Sequence, residues 1–167
     1  MNKSSPAYKV GYAAILAALA MIFSYIEAII PFSIGIPGVK LGIANLVIVI
    51  ALYKLNFKFA FLINLIRIFM VGFLFTGAFG ILYSLAGGIL SLLVMVLVKR
   101  AKVFSIVGVS LAGGVAHNLG QLITAALIVS NIKIFIYFPV LIFSGLISGI
   151  IIGIVAGLIL TKLDKAI

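Results

Sequence analysis

Apolar positions fill this chain in long runs, parted by short breaks that carry lysine, arginine, proline or glycine. The first run goes from Val10 to Ile30, long enough at about 1.5 Å per residue to cross a hydrocarbon core. Lys3 and Lys9 precede it, as in a signal peptide. The run is longer than a typical signal core and leads straight into more membrane sequence, so it reads as a retained helix. Pro31 to Lys40 (PFSIGIPGVK) then breaks the helix with two prolines and two glycines. It stays apolar enough to fold over the membrane surface or dip into it.

A short second span covers Leu41 to Tyr53, bounded by Lys54 and Lys58, with a start uncertain by several residues. The third runs from Phe59 to Thr76, the uncharged stretch Gly77 to Gly80 makes a turn, and the fourth runs from Ile81 to Val98. Lys99, Arg100 and Lys102 close it. The fifth spans Phe104 to Val129, and Asn131 to Lys133 form the next break. Ile134 to Pro139 is apolar but limited by its proline, and the sixth span covers Val140 to Leu160. The pattern predicts an all-α integral membrane protein of six transmembrane helices, forming one domain over residues 1–167.

Composition agrees. The chain is 66% apolar and 8% charged, against about 45–50% and about 25% in a soluble domain. Its net charge of +10 does not point to nucleic acid, because the cations sit in short loops between apolar spans. Lys3, Lys9, Lys54, Lys58, Lys99, Arg100, Lys102, Lys162 and Lys165 fall on one side of six spans, and only Lys40 and Lys133 on the other. Basic loops stay cytoplasmic, so both termini are expected there, in the cell membrane.

The chemistry left open is narrow. Without cysteine there is no disulfide, thiolate site or cysteine nucleophile. Glu27 and Asp164 are the only carboxylates, too few for paired-carboxylate catalysis or a carboxylate-built metal site. No phosphate-binding loop of the G-x-x-x-x-G-K-[ST] type is present, so ATP would have to be used by a partner. The expectation is a protein that is not an enzyme and holds no cofactor.

Polar groups inside apolar spans mark functional positions by default. Gly113 to Leu122 (GGVAHNLGQL) places the only histidine, an amide pair and three glycines within the fifth span. At helical spacing His117, Gln121 and Thr124 share one face, with Asn118 about 100° round from His117. These groups either bond neighbouring helices together or line a ligand pocket. Asn64 and Arg67, three apart in the third span, face one way. Arg67 needs an anion, a set of carbonyls or water, unless its long stem snorkels to an interface. Counting from the cytoplasmic ends puts His117, Gln121 and Glu27 roughly 20–25 Å deep and Arg67 roughly 12–15 Å. Glu27, Lys40, Asn45, His117, Asn118 and Gln121 are therefore candidates for an outward-opening pocket with Arg67 at its floor.

Small residues form two further patterns. Ala13/Ala17 and Ala14/Ala18 in the first span are small-xxx-small pairs that permit close helix contact. In the sixth span glycines at 145, 149, 153 and 157 recur every fourth residue, which predicts a packing seam.

Three stretches together carry a resemblance: Pro37 to Gly42 (PGVKLG) with Ala44-Asn45, Ser84 to Gly88 (SLAGG), and Ala116 to Gln121 (AHNLGQ). They resemble the bacterial membrane family called Gx transporters, often labelled heptaprenyl diphosphate synthase component I. That family is similar in turn to the substrate-binding S components of energy-coupling-factor transporters. The resemblance implies an outward-facing pocket capped by the first loop. It also implies that an Ala-xxx-Ala face on helix one, here Ala13, Ala14, Ala17 and Ala18, docks on a coupling membrane protein that works with two ATPases.

The expected function is thus membrane capture of a small molecule, anionic or isoprenoid-related, for uptake energised by partner ATPases. Two alternatives stand beside it: an accessory subunit of polyprenyl diphosphate or quinone biosynthesis, and a solitary proton-coupled transporter using Glu27 and His117. Prenyl synthases hold magnesium and diphosphate through aspartate-rich motifs. A chain whose single Asp lies in its tail lacks that chemistry.

Overall fold

The computed structural model of the chain describes residues 5–30 and 42–165. Among these it is all helical: α1 (Pro6–Ile29), α2 (Ile43–Lys54), α3 (Phe57–Val71), α4 (Gly77–Arg100), α5 (Ile106–Val129) and α6 (Phe138–Lys165). A π-helical turn, Gly72–Thr76, joins α3 to α4, and a 3₁₀ turn, Ile132–Tyr137, precedes α6. Four apolar helical stretches are long enough to cross a membrane: Pro6–Ile29, Phe57–Arg100, Ile106–Val129 and Ile132–Leu163. Large apolar side chains such as Ile15, Leu62, Phe73, Leu97, Leu127 and Leu158 point outward, as in a protein solvated by lipid.

Local chemistry sets the helix starts. Ser5, Asn56 and Ser105 cap α1, α3 and α5 by accepting from the backbone N–H of Tyr8, Phe59 and Gly108. Pro6 opens α1, where its missing N–H has no consequence. Pro139 does the same in the first turn of α6, so that helix begins at Phe138 and Pro139 is no break. The expected turn at Gly77 to Gly80 lies further back. The chain reverses through the π-helical turn and Gly77, whose φ of 70° suits glycine, and α4 starts at Gly77 itself.

Helix α2 has only 12 residues, and every one from Val47 to Leu52 is buried. A helix apolar all round belongs inside a bundle, and α2 packs against α1, α3 and α6. Charges matched to the helix dipole hold both of its ends. Glu27 of α1 accepts from the backbone N–H groups of Gly42, Ile43 and Ala44. At the other end Lys99 of α4 donates to the Leu52 carbonyl (2.6 Å) and lies over the Tyr53 ring.

Helix contacts run α2–α3–α4–α5–α6 and back to α2, with α1 against α2 and α3. α5 makes the most extensive contacts, through glycine seams on both flanks. A Cβ on Gly120 would come within 2.7 Å of the Ala86 carbonyl oxygen in α4, and one on Gly145 within 2.8 Å of the Gly114 carbonyl oxygen. Gly149 and Gly153 sit as tightly on Leu111 and Val107. The expected seam of α6 therefore uses Gly145, Gly149 and Gly153; a Cβ on Gly157 meets nothing within 4 Å, so that glycine is outside it.

Helices that follow one another in the chain run antiparallel. Gly72 meets Ile81 and Gly88 meets Asn64 and Ile68, while Gly114 meets Gly145 and Val107 meets Gly153. Together with Glu27 at the start of α2 and Lys99 at its end, this gathers Lys9, Lys54, Lys58, Lys99, Arg100, Lys102 and Lys162 at one end of the bundle.

Candidate functional site

All six helices contribute to one cavity of about 80 Å³ at the centre of the bundle. By the same measure one water needs about 10–15 Å³, so the space suits roughly half a dozen waters or a small metabolite. It is lined by Glu27, Asn45, Arg67, Thr76, His117, Asn118 and Gln121, together with Ser91, Ser110 and Ser148.

Six of the seven residues expected to form a site therefore meet here: Glu27, Asn45, Arg67, His117, Asn118 and Gln121. Lys40, and the Pro31–Lys40 loop expected to cover the pocket, lie outside the described residues. Helical spacing explains the α5 set. His117 and Gln121 are one turn apart, and both meet Gly87 of α4, where any side chain would collide with the His117 carbonyl. Thr124, on the same face by spacing, turns back to bond the Gly120 carbonyl (3.0 Å).

Arg67 does not snorkel; only 8% of it is exposed. Its Nη2 donates to Asn64 Oδ1 at 2.7 Å and to Asn45 Oδ1 at 3.4 Å, and its Nη1 to Ser24 Oγ at 3.4 Å. Only the first is of ordinary length. Arg67 Nε is buried with no partner among the described residues, as is Asn64 Nδ2. All three acceptors are neutral, and no ion pair joins the guanidinium to a carboxylate among the described residues. Glu27 lines the same cavity, but its carboxylate is spent on the α2 amides. A helix N-terminus carries roughly half a positive charge, which the Glu27 carboxylate answers at the α2 start. Buried charge without a counter-ion is unfavourable, and a guanidinium fork matches carboxylate or phosphate oxygens.

The other polar groups differ in kind. Asn118 Nδ2 donates to the Leu141 carbonyl at 2.7 Å, so this amide ties α5 to α6 as well as facing the cavity. Ser24, Ser91, Ser110 and Ser148 were not singled out from the sequence, since a lone serine in an apolar helix carries no signal. Asn64 was noted for its i, i+3 spacing with Arg67 but was not among the expected site residues.

Of the four alanines expected to face a partner, Ala13 and Ala17 are buried in the core of the bundle. Their small side chains bring α1 against its own neighbours. Ala14 and Ala18 are exposed.

Comparison with known families decides the affiliation. The profile of heptaprenyl diphosphate synthase component I matches residues 16–159, most of the chain and at least part of every helix. The chain belongs to that family. No curated protein and no solved structure matches it. The stretch matched includes every cavity residue named above, so the site belongs to the family's own region of the chain.

Proposed function

We propose that this chain is the substrate-capture subunit of a membrane importer, and that it binds a small oxyanion in the six-helix cavity against Arg67. The observation that carries the reading is a buried guanidinium on the wall of the cavity, with an unpartnered Nε and only neutral acceptors among the described residues. Substrate oxygens would supply the missing counter-charge. His117 and Gln121 add hydrogen-bonding groups one turn apart, and Asn45 and Asn64 hold the guanidinium in place.

The same reading takes the six helices as six spans with both termini in the cytoplasm. Its support is the basic end of the bundle, since lysine and arginine gather on the cytoplasmic side. The Thr76 end of the cavity, away from the basic loops, then faces outward. Energy comes from partner ATPases, because the chain has no nucleotide-binding loop. The exposed Ala14 and Ala18 are the part of α1 left for a coupling protein.

The family description favours a second reading, an accessory subunit of prenyl diphosphate synthesis. The chain itself has a single Asp, in its tail, and no aspartate-rich diphosphate site. Affinity purification of the tagged chain in mild detergent separates the two. Recovery of a coupling membrane protein with two ATPases supports the importer; recovery of a prenyl synthase without ATPases contradicts it.

A further inference from the structure

The cavity does not stop at Arg67. Gly88 packs against Asn64 and Ile68, which puts Arg67 level with Gly87 and Gly88 of α4. Ser91 lies one turn beyond, roughly 5 Å further towards the basic end. Gly113 of α5 packs on Ser91, and Ser110 lies a further turn on, again roughly 5 Å. Both serines line the cavity, at 3% and 4% exposure. Neither hydroxyl bonds to protein among the described residues. Serine in a helix ordinarily returns its proton to a carbonyl one turn back, as Ser148 Oγ does, less closely, with the Gly145 carbonyl. Both hydroxyls are open to the cavity and available to hydrogen-bond a molecule bound inside it.

We infer that this deep end is a second subsite, and that the substrate is a small oxyanion whose body carries hydroxyl groups. The oxyanion sits at Arg67, and the body reaches roughly 5–10 Å inward to hydrogen-bond Ser91 and Ser110. This inference rests on the oxyanion reading above and narrows it. Met95 and Ile152 leave part of the wall apolar, which suits a carbon backbone between the hydroxyls. A prenyl tail fits badly: it would leave both serines unanswered, and a chain of many isoprene units exceeds a space for roughly half a dozen waters.

Matched probe pairs test it on the full chain in lipid nanodiscs, read as ligand-induced thermal shift and titrated for affinity. The pairs are glycerol 3-phosphate against propyl phosphate, and glycerate against propanoate, with isopentenyl diphosphate as the apolar-tailed probe. The expected result is that the hydroxylated member of at least one pair binds about tenfold more tightly, each hydroxyl bond being worth a few-fold. The combined Ser91→Ala and Ser110→Ala variant should bring that ratio close to one. The wild-type comparison needs no variant, so misfolding of the serine variant does not blunt the test. Equal binding within both pairs overturns the inference and leaves the oxyanion reading standing. So does a preference that survives in the serine variant, or tightest binding by isopentenyl diphosphate. If the wild type binds none of the oxyanions, both the inference and the oxyanion reading fall.

Discussion

Arg67 concentrates the account into one side chain. Its place in the middle of an apolar span made it conspicuous in sequence, and its i, i+3 relation to Asn64 already gave one partner. Whether it snorkels or turns inward depends on the helices around it, and spacing along one helix says nothing of that. The structure turns it inward, against Ser24 of α1 and Asn45 of α2. Replacing it separates charge from shape. Arg67→Gln keeps donors but removes the charge, and should weaken oxyanion affinity about 100-fold or more. Arg67→Lys keeps the charge and loses the fork, and should weaken it about tenfold. Titration of glycerol 3-phosphate and glycerate into nanodisc-embedded protein measures both. Equal losses in the two variants would argue against fork recognition.

At the scale of helices, the long apolar runs and the glycine pattern of α6 were legible because periodicity alone encodes them. Three things were not. Gly157 continues the four-residue repeat but a Cβ there would meet nothing within 4 Å, which only the crossing of α5 and α6 decides. The reversal between α3 and α4 falls at a π-helical turn, with no proline or charge to announce it. Glu27 looked like a ligand or proton carrier, and its partners are backbone amides, which no residue pattern displays. Two predictions belong here. Gly149→Leu drives a side chain into the Leu111 backbone and should destabilise the bundle by about 3 kcal/mol or more, whereas Gly157→Leu should leave thermal unfolding in detergent within about 0.5 kcal/mol of wild type. Lys99→Met removes the charge at the α2 C-terminus and should lower stability by about 1 kcal/mol, with the effect diminished in high salt.

For the whole molecule, the strongest sequence signal was the asymmetry of lysine and arginine, and the fold collects those residues at one end of a closed ring of helices. The closure itself was not legible, because α5 meets both α4 and α6 through glycines whose partners lie far along the chain. The absence of native cysteine makes orientation directly testable. Single cysteines in place of Asn131 and Lys102 should react with a membrane-impermeant thiol reagent from opposite faces: Asn131→Cys in intact cells, Lys102→Cys only after permeabilisation. Labelling of both from one face would contradict the six-span arrangement.

The most direct measurement is untargeted mass spectrometry of small molecules released from the purified wild-type chain and from Arg67→Gln, prepared side by side in nanodiscs. The account predicts a small hydroxylated carboxylate or phosphate in the wild-type sample that is absent from the variant. A prenyl lipid released equally from both would contradict it.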